Sequence, residues 1–454
     1  MKKGLFSFIM IVALLMSSAS TVVAAPDKFI GVNVVLNTEI SDEILTELGK
    51  HGKVQNLLVE IDALTMRVRE SKLDTLRALP FVAAVNPDAV RNGAPIDTVL
   101  ADNFLDGLST WNLDAVNVTD FGFDNRQVDY DGTGVYVAVL DTGLVDTWRG
   151  YFPEERIATE YAISFGGGGG EVGNVSSQPN KWEHDVNSHG THVTSTILGF
   201  DLGGIPVNGV APMVTVIPVK VLNQNGSGWS SVVAQGITYV ADLKAGPLSD
   251  HPVVINMSLG GSVLDAVEKA AIDYAIDQGV IIVASAGNNG TAGMGYPGAY
   301  APVISVAASG WVGEWTAASW WWAVDVEEPT NPDEFYITDF SSRELAGQEL
   351  DVAAPGSWVV GPYKLNSGNT LSYYYLGGTS MASPHVAGIV ALMAEKNADL
   401  TAAEAESILK TTAIPLPADC RDIFSPSGPT EVCWGDDANG AGLVLADAAL
   451  AATP

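Results

Sequence analysis

Cysteine, basic residues and long apolar runs are all scarce in this chain of 454 residues. The only cysteines are Cys420 and Cys433, and neither lies near the polar motifs described below, so catalysis by a thiol is excluded. Lys and Arg number 22 against 53 Asp and Glu, and the formal net charge of −31 argues against nucleic acid and anionic membranes as partners. Beyond the N terminus no stretch is long and apolar enough to span a bilayer. These absences favour a soluble globular protein.

Residues 1–24 have the features of a secretory signal peptide. Lys2 and Lys3 precede an apolar run over 5–16, and small residues follow it. About a dozen apolar residues are too few to form a membrane anchor. We predict cleavage after Ala24, because Pro26 disfavours a cut directly before it, and we therefore expect a secreted, extracellular protein.

The two cysteines fit an oxidising, extracellular setting. Cys420 and Cys433 lie close together in a loop-rich C-terminal stretch. We expect a disulfide that closes this short loop, and two unrelated thiols are the alternative.

The segment over 377–388, GGTSMASPHVAG, is the most informative part of the sequence. Thr379 and Ser380 open a run of apolar residues at helical spacing, so Ser380 is predicted at a helix start. Unpaired N–H groups and the helix dipole stabilise a developing negative charge there. Pro384 is predicted in the first turn, where a helix tolerates proline. A serine in this position can also be only a helix cap.

A reactive serine needs a base and an acid that orients it, and two other segments offer them. In NSHGTHV over 187–193, Ser188 is predicted to cap a helix, with His189 in its first turn and His192 packed inside. A metal pair is disfavoured because no HExxH pattern or nearby cysteine supports it. Asp141 follows the apolar run over 135–140, a predicted buried strand, and parallel sheets build their sites at such strand ends. A cap for the following loop is the alternative for Asp141.

Asn288 is the candidate donor for an oxyanion. It follows the apolar run over 280–285, a second predicted buried strand. Its side-chain amide could act with the N–H of Ser380 on a tetrahedral oxygen. The Asn-Asn-Gly sequence is otherwise an ordinary turn signal.

These motifs occur in the order Asp-Thr-Gly, His-Gly-Thr-His, Ala-Gly-Asn and Gly-Thr-Ser-Met-Ala-Ser-Pro-His, and together they resemble the subtilisin family of serine proteases. The resemblance covers the chain from about Leu108 to the C terminus. It implies that Ser380 is the nucleophile, His189 the general base and acid, Asp141 its orienter and Asn288 the oxyanion donor. The order Asp, His, Ser separates this family from chymotrypsin-like enzymes and α/β-hydrolases. It implies a monomeric endopeptidase acting on proteins and peptides, with no cofactor required for the chemistry.

Two other classes of protein are disfavoured by the same residues. A non-catalytic scaffold of this fold should lack at least one of the four polar residues, and none is missing. A serine-carboxyl protease of the related fold uses Glu in place of His, and the intact His-Gly-Thr-His segment argues against it.

The resemblance also implies how a peptide substrate binds. The substrate adds a strand between residues 226–228 and 258–260, while 284–287 wall the pocket for the residue before the cut and Gly295 forms its base. No Asp or Glu lies in these segments, so we expect broad cleavage after large apolar or aromatic residues. The implied substrate-binding residues are Gly226, Ser227, Gly228, Ser258, Leu259, Gly260, Ala284, Ser285, Ala286, Gly287 and Gly295.

A structural calcium ion is a weaker implication of the resemblance. The loop over 200–209 occupies the place of a family calcium loop, but Gly203 and Gly204 replace the expected side-chain ligands. Glu154 and the backbone oxygens of Ile205 and Val207 are the candidate ligands. An acidic surface without a specific site is the alternative.

The region over 25–88 reads as β-α-β-β-α-β, a ferredoxin-like α+β order. It resembles the inhibitory propeptide of the same family, which templates folding and lays its tail through the active site. Residues 89–106 have little apolar periodicity and are predicted as the processing linker. Residues 107–454 are predicted as the peptidase domain, an α/β unit with a mostly parallel sheet flanked by helices. An acidic, Trp-rich stretch over 311–339 is predicted as an insertion that packs on the body, with a substrate platform as the alternative.

Overall fold

The computed structural model describes residues 27–101, 104, 110–120, 125–165, 181–316, 326, 329–364 and 372–454. The predicted signal peptide and the central tryptophans of the insertion, Trp320, Trp321 and Trp322, lie outside the described residues. Among the helices described, none combines the length and the apolar character needed to cross a membrane.

The N-terminal domain, residues 27–88, is a four-stranded antiparallel sheet with its own apolar core. The strand order β2-β3-β1-β4 confirms the ferredoxin-like prediction. Ser41 caps the first helix by accepting the N–H of Ile44. A 3-10 turn over 70–72 precedes the second helix. The elements are β1 (Phe29–Leu36), α1 (Asp42–Gly49), β2 (Gly52–Leu58), β3 (Ala63–Arg69), α2 (Leu73–Arg77) and β4 (Val82–Pro87).

The segment predicted as a processing linker contains two strands, β5 (Val90–Asn92) and β6 (Asp97–Leu100). They pair antiparallel with two strands of the second domain, Ser227–Trp229 and Ser372–Gly377. The sequence of this segment does not alternate between apolar and polar residues, so it does not predict a strand. The strands form because of partners that lie more than a hundred residues away in the sequence.

The second domain is built on an eight-stranded sheet with the order β16-β15-β14-β13-β7-β11-β8, and β17 pairs with β15. All the described pairs are parallel except that between β15 and β16. The strands of this sheet are β7 (Tyr136–Asp141), β8 (Ile163–Ser164), β11 (Thr215–Lys220), β13 (Val253–Met257), β14 (Val280–Ser285), β15 (Ile304–Trp311), β16 (Phe335–Ile337) and β17 (Val352–Pro355).

Helices cover both faces of this sheet, and each layer has its own core. The residues of α5 and α6 pack in one apolar cluster, and those of α4 and α7 in the other. The fold confirms the predicted α/β class. The helices are α3 (Trp111–Ala115), α4 (His189–Leu198), α5 (Ser230–Ala245), α6 (Ala266–Asp277), α7 (Thr379–Lys396), α8 (Ala402–Thr412) and α9 (Ala446–Ala452).

Shorter strands complete the second domain around the sheet. A disulfide joins Cys420 and Cys433, which lie opposite each other on β20 and β21. At the start of the Trp-rich stretch, Trp311 stacks on Trp111 and Trp315 contacts Trp358, so these two indoles pack on the body of the domain. The short strands are β9 (Gly199–Asp201), β10 (Pro206–Asn208), β12 (Ser227–Trp229), β18 (Val359–Tyr363), β19 (Ser372–Gly377), β20 (Asp419–Ser425) and β21 (Gly428–Trp434).

Candidate active site

Asp141, His189 and Ser380 meet at the carboxyl edge of the parallel sheet. Asp141 ends β7, His189 is the first residue of α4, and Ser380 is the second residue of α7. The His189 Nδ1 atom lies 2.8 Å from Asp141 Oδ1 and 2.9 Å from Oδ2, and both side chains are fully buried. A carboxylate on Nδ1 holds the imidazole with its Nε2 atom free to take a proton.

The hydroxyl of Ser380 points to Ser258 rather than to the imidazole. Its Oγ atom donates to the carbonyl of Ser258 at 3.2 Å. His189 Nε2 is buried and has no hydrogen-bond partner within the part of the chain that the structure describes. The hydroxyl and the imidazole are therefore not hydrogen-bonded to each other in this arrangement.

Asn288 is oriented by the residue before the serine. Its Oδ1 atom accepts the N–H of Thr379 at 2.9 Å and the Thr379 hydroxyl at 2.8 Å. With the amide oxygen held in this way, the Nδ2 group is the end that can donate. A Cβ placed on Gly378 would lie 3.5 Å from that nitrogen, so the amide sits beside the turn that leads into Ser380.

The turn after Asp141 is held by a polar cluster that the sequence analysis missed. Lys220 is buried at the end of β11, and its Nζ atom donates to the carbonyl of Thr142. The Thr142 hydroxyl donates to Asp185 at 2.6 Å and accepts the N–H of Gly190 at 2.9 Å. Burial raises the pKa of Asp185 to about 6, although Lys220 opposes the shift. The one sequence feature that could have indicated this cluster is Lys220, a charged residue at the end of a largely apolar strand.

Two predicted details of the site helices are wrong. Ser188 does not cap α4, because its backbone is left-handed, with φ of 71°, and its Oγ atom instead accepts the N–H of Lys364 at 2.7 Å.

Pro384 lies inside α7, past its first turn. Proline cannot donate to the carbonyl four residues earlier, which belongs to Ser380. The Ser258 hydroxyl donates to that carbonyl at 2.8 Å in its place.

The neighbouring histidines are buried and neutral. Burial lowers the pKa of His192 to about 3 and that of His385 to about 4. His192 Nε2 lies 3.1 Å from the carbonyl of Val359, and His385 Nδ1 lies 2.8 Å from the carbonyl of Met381. Both rings therefore have packing roles, as expected for His192.

The predicted substrate cleft holds the chain's own residues 90–96. Asn92 and Gly260 exchange two backbone hydrogen bonds of 2.9 Å, and the N–H of Gly93 donates to Gly226 at 2.8 Å. On the same side, Ser227 lies opposite Asn92 and Gly228 opposite Arg91.

Beyond Gly93 the segment passes the three polar residues. A Cβ on Gly93 would lie 3.4 Å from His189 Cε1 and 2.8 Å from the carbonyl of Ser258, so only glycine fits here. Farther on, the N–H of Ile96 donates to Gly377 at 2.7 Å. Residues 93–96 thus pass beside His189 and the turn that leads into Ser380, where a Cβ on Gly378 would lie 3.7 Å from the Cα atom of Pro95.

The predicted pocket walls also come together. The end of β14 is buried from Ala284 to Ala286, and the N–H of Gly295 donates to Ala286 at 2.8 Å. The Ser285 hydroxyl donates to the carbonyl of Leu259 at 3.4 Å, which joins the two sides of the pocket. A Cβ on Gly287 would meet the Ser342 hydroxyl at 3.0 Å. Small residues on this wall leave room for a substrate side chain.

The three candidate calcium ligands do not fit a calcium ion. Glu154 Oε1 accepts from Arg149 at 3.1 Å, so the one carboxylate of the set already has a cation. The carbonyl of Ile205 accepts the N–H of Leu202 at 2.8 Å, and Val207 pairs with Phe200 in a short hairpin. Calcium takes six to eight oxygen ligands, and this set offers too few.

Comparison with known proteins identifies the family of this chain. A model of the subtilase family matches residues 132–443. The chain belongs to the subtilase family. Members of this family are serine endopeptidases, so the chain is a peptide hydrolase.

Curated relatives cover most of this subtilase. Subtilisin DY of Bacillus licheniformis is 35% identical over 63% of the chain and 86% of its own length. An alkaline protease of Shouchella clausii is 32% identical over 92% of the chain and 95% of its own length. The second match extends through the N-terminal domain as well.

Solved structures also match the fold. Fervidolysin of Fervidobacterium pennivorans, a keratinolytic enzyme related to subtilisin, aligns with a TM-score of 0.65, 25% identity and 94% of this chain. The chain spans 62% of the length of fervidolysin. The S41 psychrophilic protease aligns with a TM-score of 0.54 and 28% identity over 75% of this chain and 98% of its own.

Proposed function

We propose that this subtilase is a secreted endopeptidase, made as a self-processing zymogen, in which Ser380, His189 and Asp141 form the catalytic triad. The observation that most supports the proposal is the path of residues 90–96, which lie along the predicted substrate cleft and pass beside His189 and the turn that leads into Ser380.

The geometry supports acyl-enzyme chemistry. The Ser380 oxygen attacks the substrate carbonyl while His189 Nε2 takes the hydroxyl proton, and Asp141 stabilises the imidazolium that forms. Asn288 Nδ2 and the N–H of Ser380 donate to the negative oxygen of the tetrahedral intermediate. The C–N bond then breaks, and the leaving amine takes the proton from His189. Water, deprotonated by the same imidazole, hydrolyses the ester and releases Ser380.

The N-terminal domain and its tail have the role of an intramolecular inhibitor in this proposal. β5 fills the cleft, so a second peptide cannot bind until the tail leaves. The N–H of Ala89 donates to the Ser230 hydroxyl at 3.0 Å, and the N–H of Ser230 donates back to Ala89 at 2.7 Å. These bonds attach the start of the tail to the first residue of α5.

The residue before the cut is proposed to be large and apolar or aromatic. The pocket wall consists of small uncharged residues such as Ala284, Gly287 and Gly295, and a charged substrate residue would find no counter-ion there. Mass-spectrometric mapping of the sites cut in a denatured protein tests this preference. Strict cleavage after paired basic residues would contradict it.

The proposed self-processing predicts different intact masses for wild type and Ser380→Ala. Wild type should lose all residues up to a bond between Gly93 and Ile96, because that stretch lies beside the nucleophile. The residue before this cut is small, unlike the preferred substrate residue, since backbone pairing rather than the pocket holds the attached tail in the cleft. Ser380→Ala should lose only the 24-residue leader. Intact-mass spectrometry of the secreted proteins measures both and locates the maturation site.

The control for this experiment is Ser407→Ala, which removes an exposed hydroxyl on α8 and should mature like wild type. If Ser380→Ala is trimmed at the same bond as wild type, a different protease performs the processing. In that case the self-processing part of the proposal is wrong, and cleavage of added peptides then tests the triad alone.

A further inference from the structure

The tail places a buried arginine in the substrate cleft. Arg91 lies opposite Gly228 on β5, two residues before Gly93, which packs against His189. When the bond after Ala94 faces Ser380, Arg91 is the fourth residue before the cut. Its side chain is fully buried although it belongs to a segment that crosses an otherwise open cleft.

The partner of Arg91 is a carboxylate of the peptidase domain. Arg91 Nε donates to Glu268 Oε1 at 2.9 Å, Nη2 donates to Oε2 of the same carboxylate, and the Glu268 side chain is also fully buried. This is a two-point contact between a planar guanidinium and a planar carboxylate. Arg91 Nη2 also donates to the carbonyl of Val263 at 2.9 Å.

The geometry of this contact distinguishes arginine from other side chains. A lysine ammonium is a point charge and cannot match both carboxylate oxygens and the Val263 carbonyl from one planar group. An apolar side chain would leave the Glu268 carboxylate buried without a partner, which is costly. Asp265, at the start of α6, adds a second negative charge beside the guanidinium.

The tail is held by the same cleft that must later hold substrates. Release of the tail removes Arg91 but leaves Glu268 in place, since Glu268 lies on α6 of the peptidase domain. From this we infer that Glu268 is a specificity residue, which selects substrates with arginine at the fourth position before the cleaved bond. The inference rests on the proposed function. It adds a preference for arginine at the fourth substrate residue before the cut to the proposed apolar preference at the residue directly before the cut.

Matched peptides test the inference on the full-length chain after it has been secreted and has processed itself. Quenched fluorescent peptides should differ only at the fourth residue before the cut, with Arg, Lys, Leu or Glu, and mass spectrometry should verify the cut in each. We expect kcat/KM for the Arg peptide to exceed that for the Leu peptide by roughly 10- to 100-fold, the range for a charge-assisted hydrogen bond. The Lys peptide should fall between them.

Variants separate the role of Glu268 from general effects of charge. In Glu268→Gln the ratio of Arg to Leu cleavage should collapse toward one. In Asp277→Asn, which removes an exposed charge from the same helix, the ratio should stay as in wild type. Should Glu268→Gln fail to fold with Arg91 unpaired, the double variant Arg91→Leu, Glu268→Leu replaces the ion pair by apolar groups and should favour the Leu peptide.

The outcomes distinguish this inference from the function on which it rests. Equal cleavage of the Arg and Leu peptides by wild type overturns the role of Glu268 in substrate selection, and Glu268 would then only anchor the tail. The proposed endopeptidase activity would not be affected by that result. A preserved Arg preference in Glu268→Gln also overturns it. Failure to cleave any peptide contradicts the proposed function itself.

Discussion

Glu314 is a carboxyl whose burial makes stability depend on pH. It accepts the N–H of Trp311 at 3.0 Å and the hydroxyls of Tyr336 and Ser357 at 2.8 Å each. Burial raises its pKa to about 7, against 4.5 in the unfolded chain. A raised folded-state pKa means that the stabilisation is complete below pH 4.5 and is lost as pH rises through 7.

We therefore predict that Glu314→Gln flattens the pH dependence of stability between pH 4.5 and 7. The difference between wild type and variant should change over this window by about 3 kcal/mol, since each pKa unit corresponds to about 1.4 kcal/mol. Thermal unfolding in a Ser380→Ala background avoids self-digestion, and exposed Glu155→Gln is the control. Parallel pH profiles for wild type and Glu314→Gln would contradict the assignment.

At the scale of elements, α7 carries the nucleophile on a helix interrupted by proline. Pro384 leaves the carbonyl of Ser380 without its helical donor, and the Ser258 hydroxyl donates to that carbonyl.

We predict that Ser258→Ala lowers the free energy of unfolding by about 1–3 kcal/mol, because it leaves a buried carbonyl without a donor. Chemical denaturation in the Ser380→Ala background measures the change. Exposed Ser262→Ala should have no effect, and an equal stability of Ser258→Ala and wild type would argue that another group takes over the bond.

The strands β5 and β6 illustrate how an element can depend on its partner. Residues 89–100 contain Gly93 and Pro95 and have no alternating pattern, so the sequence predicted a linker. Their backbone groups nevertheless pair with the edges of β12 and β19. A short strand of this kind is stable only where a sheet edge is already present.

At the scale of the whole molecule, Asn33 joins the two domains. Its Nδ2 atom donates to Asp265 at 2.7 Å and to Asp88 at 3.1 Å, and it also contacts the Ser230 hydroxyl. The two carboxylates come from different domains and converge on the Ser230 hydroxyl as well. Burial raises the pKa of Asp88, with the charge of Asp265 adding to the effect.

We predict that Asn33→Leu weakens the association of the two domains by about 1–3 kcal/mol, since two buried carboxylates lose a donor. Self-processing should then be slower, because the tail is held in the cleft for a smaller fraction of the time. The time course of the mature mass measures this rate. The control is Asn37→Ala, at an exposed site whose side chain donates to the carbonyl of Pro80 within the N-terminal domain. An unchanged time course would show that this network does not position the tail.

Local patterns determined much of this protein from the sequence by itself. Apolar runs predicted the buried strands that end at Asp141 and before Asn288, and the spacing of apolar residues predicted the helix of Ser380. The structure confirmed the α/β class that these patterns predict, and comparison with known proteins confirmed the family that the motifs resemble, while the individual catalytic roles remain predictions. Patterns of this kind suffice because strand burial, helix period and turn chemistry depend on neighbours in the sequence.

Contacts between distant residues were decided only by the tertiary structure. Nothing near Arg91 in the sequence indicates Glu268, and nothing near Pro384 indicates that Ser258 replaces its missing donor. The same holds for Lys220 beside the turn after Asp141. Such contacts depend on where the folded sheet brings residues more than seventy positions apart, and a buried charge or freed carbonyl is stable only where a partner is brought to it.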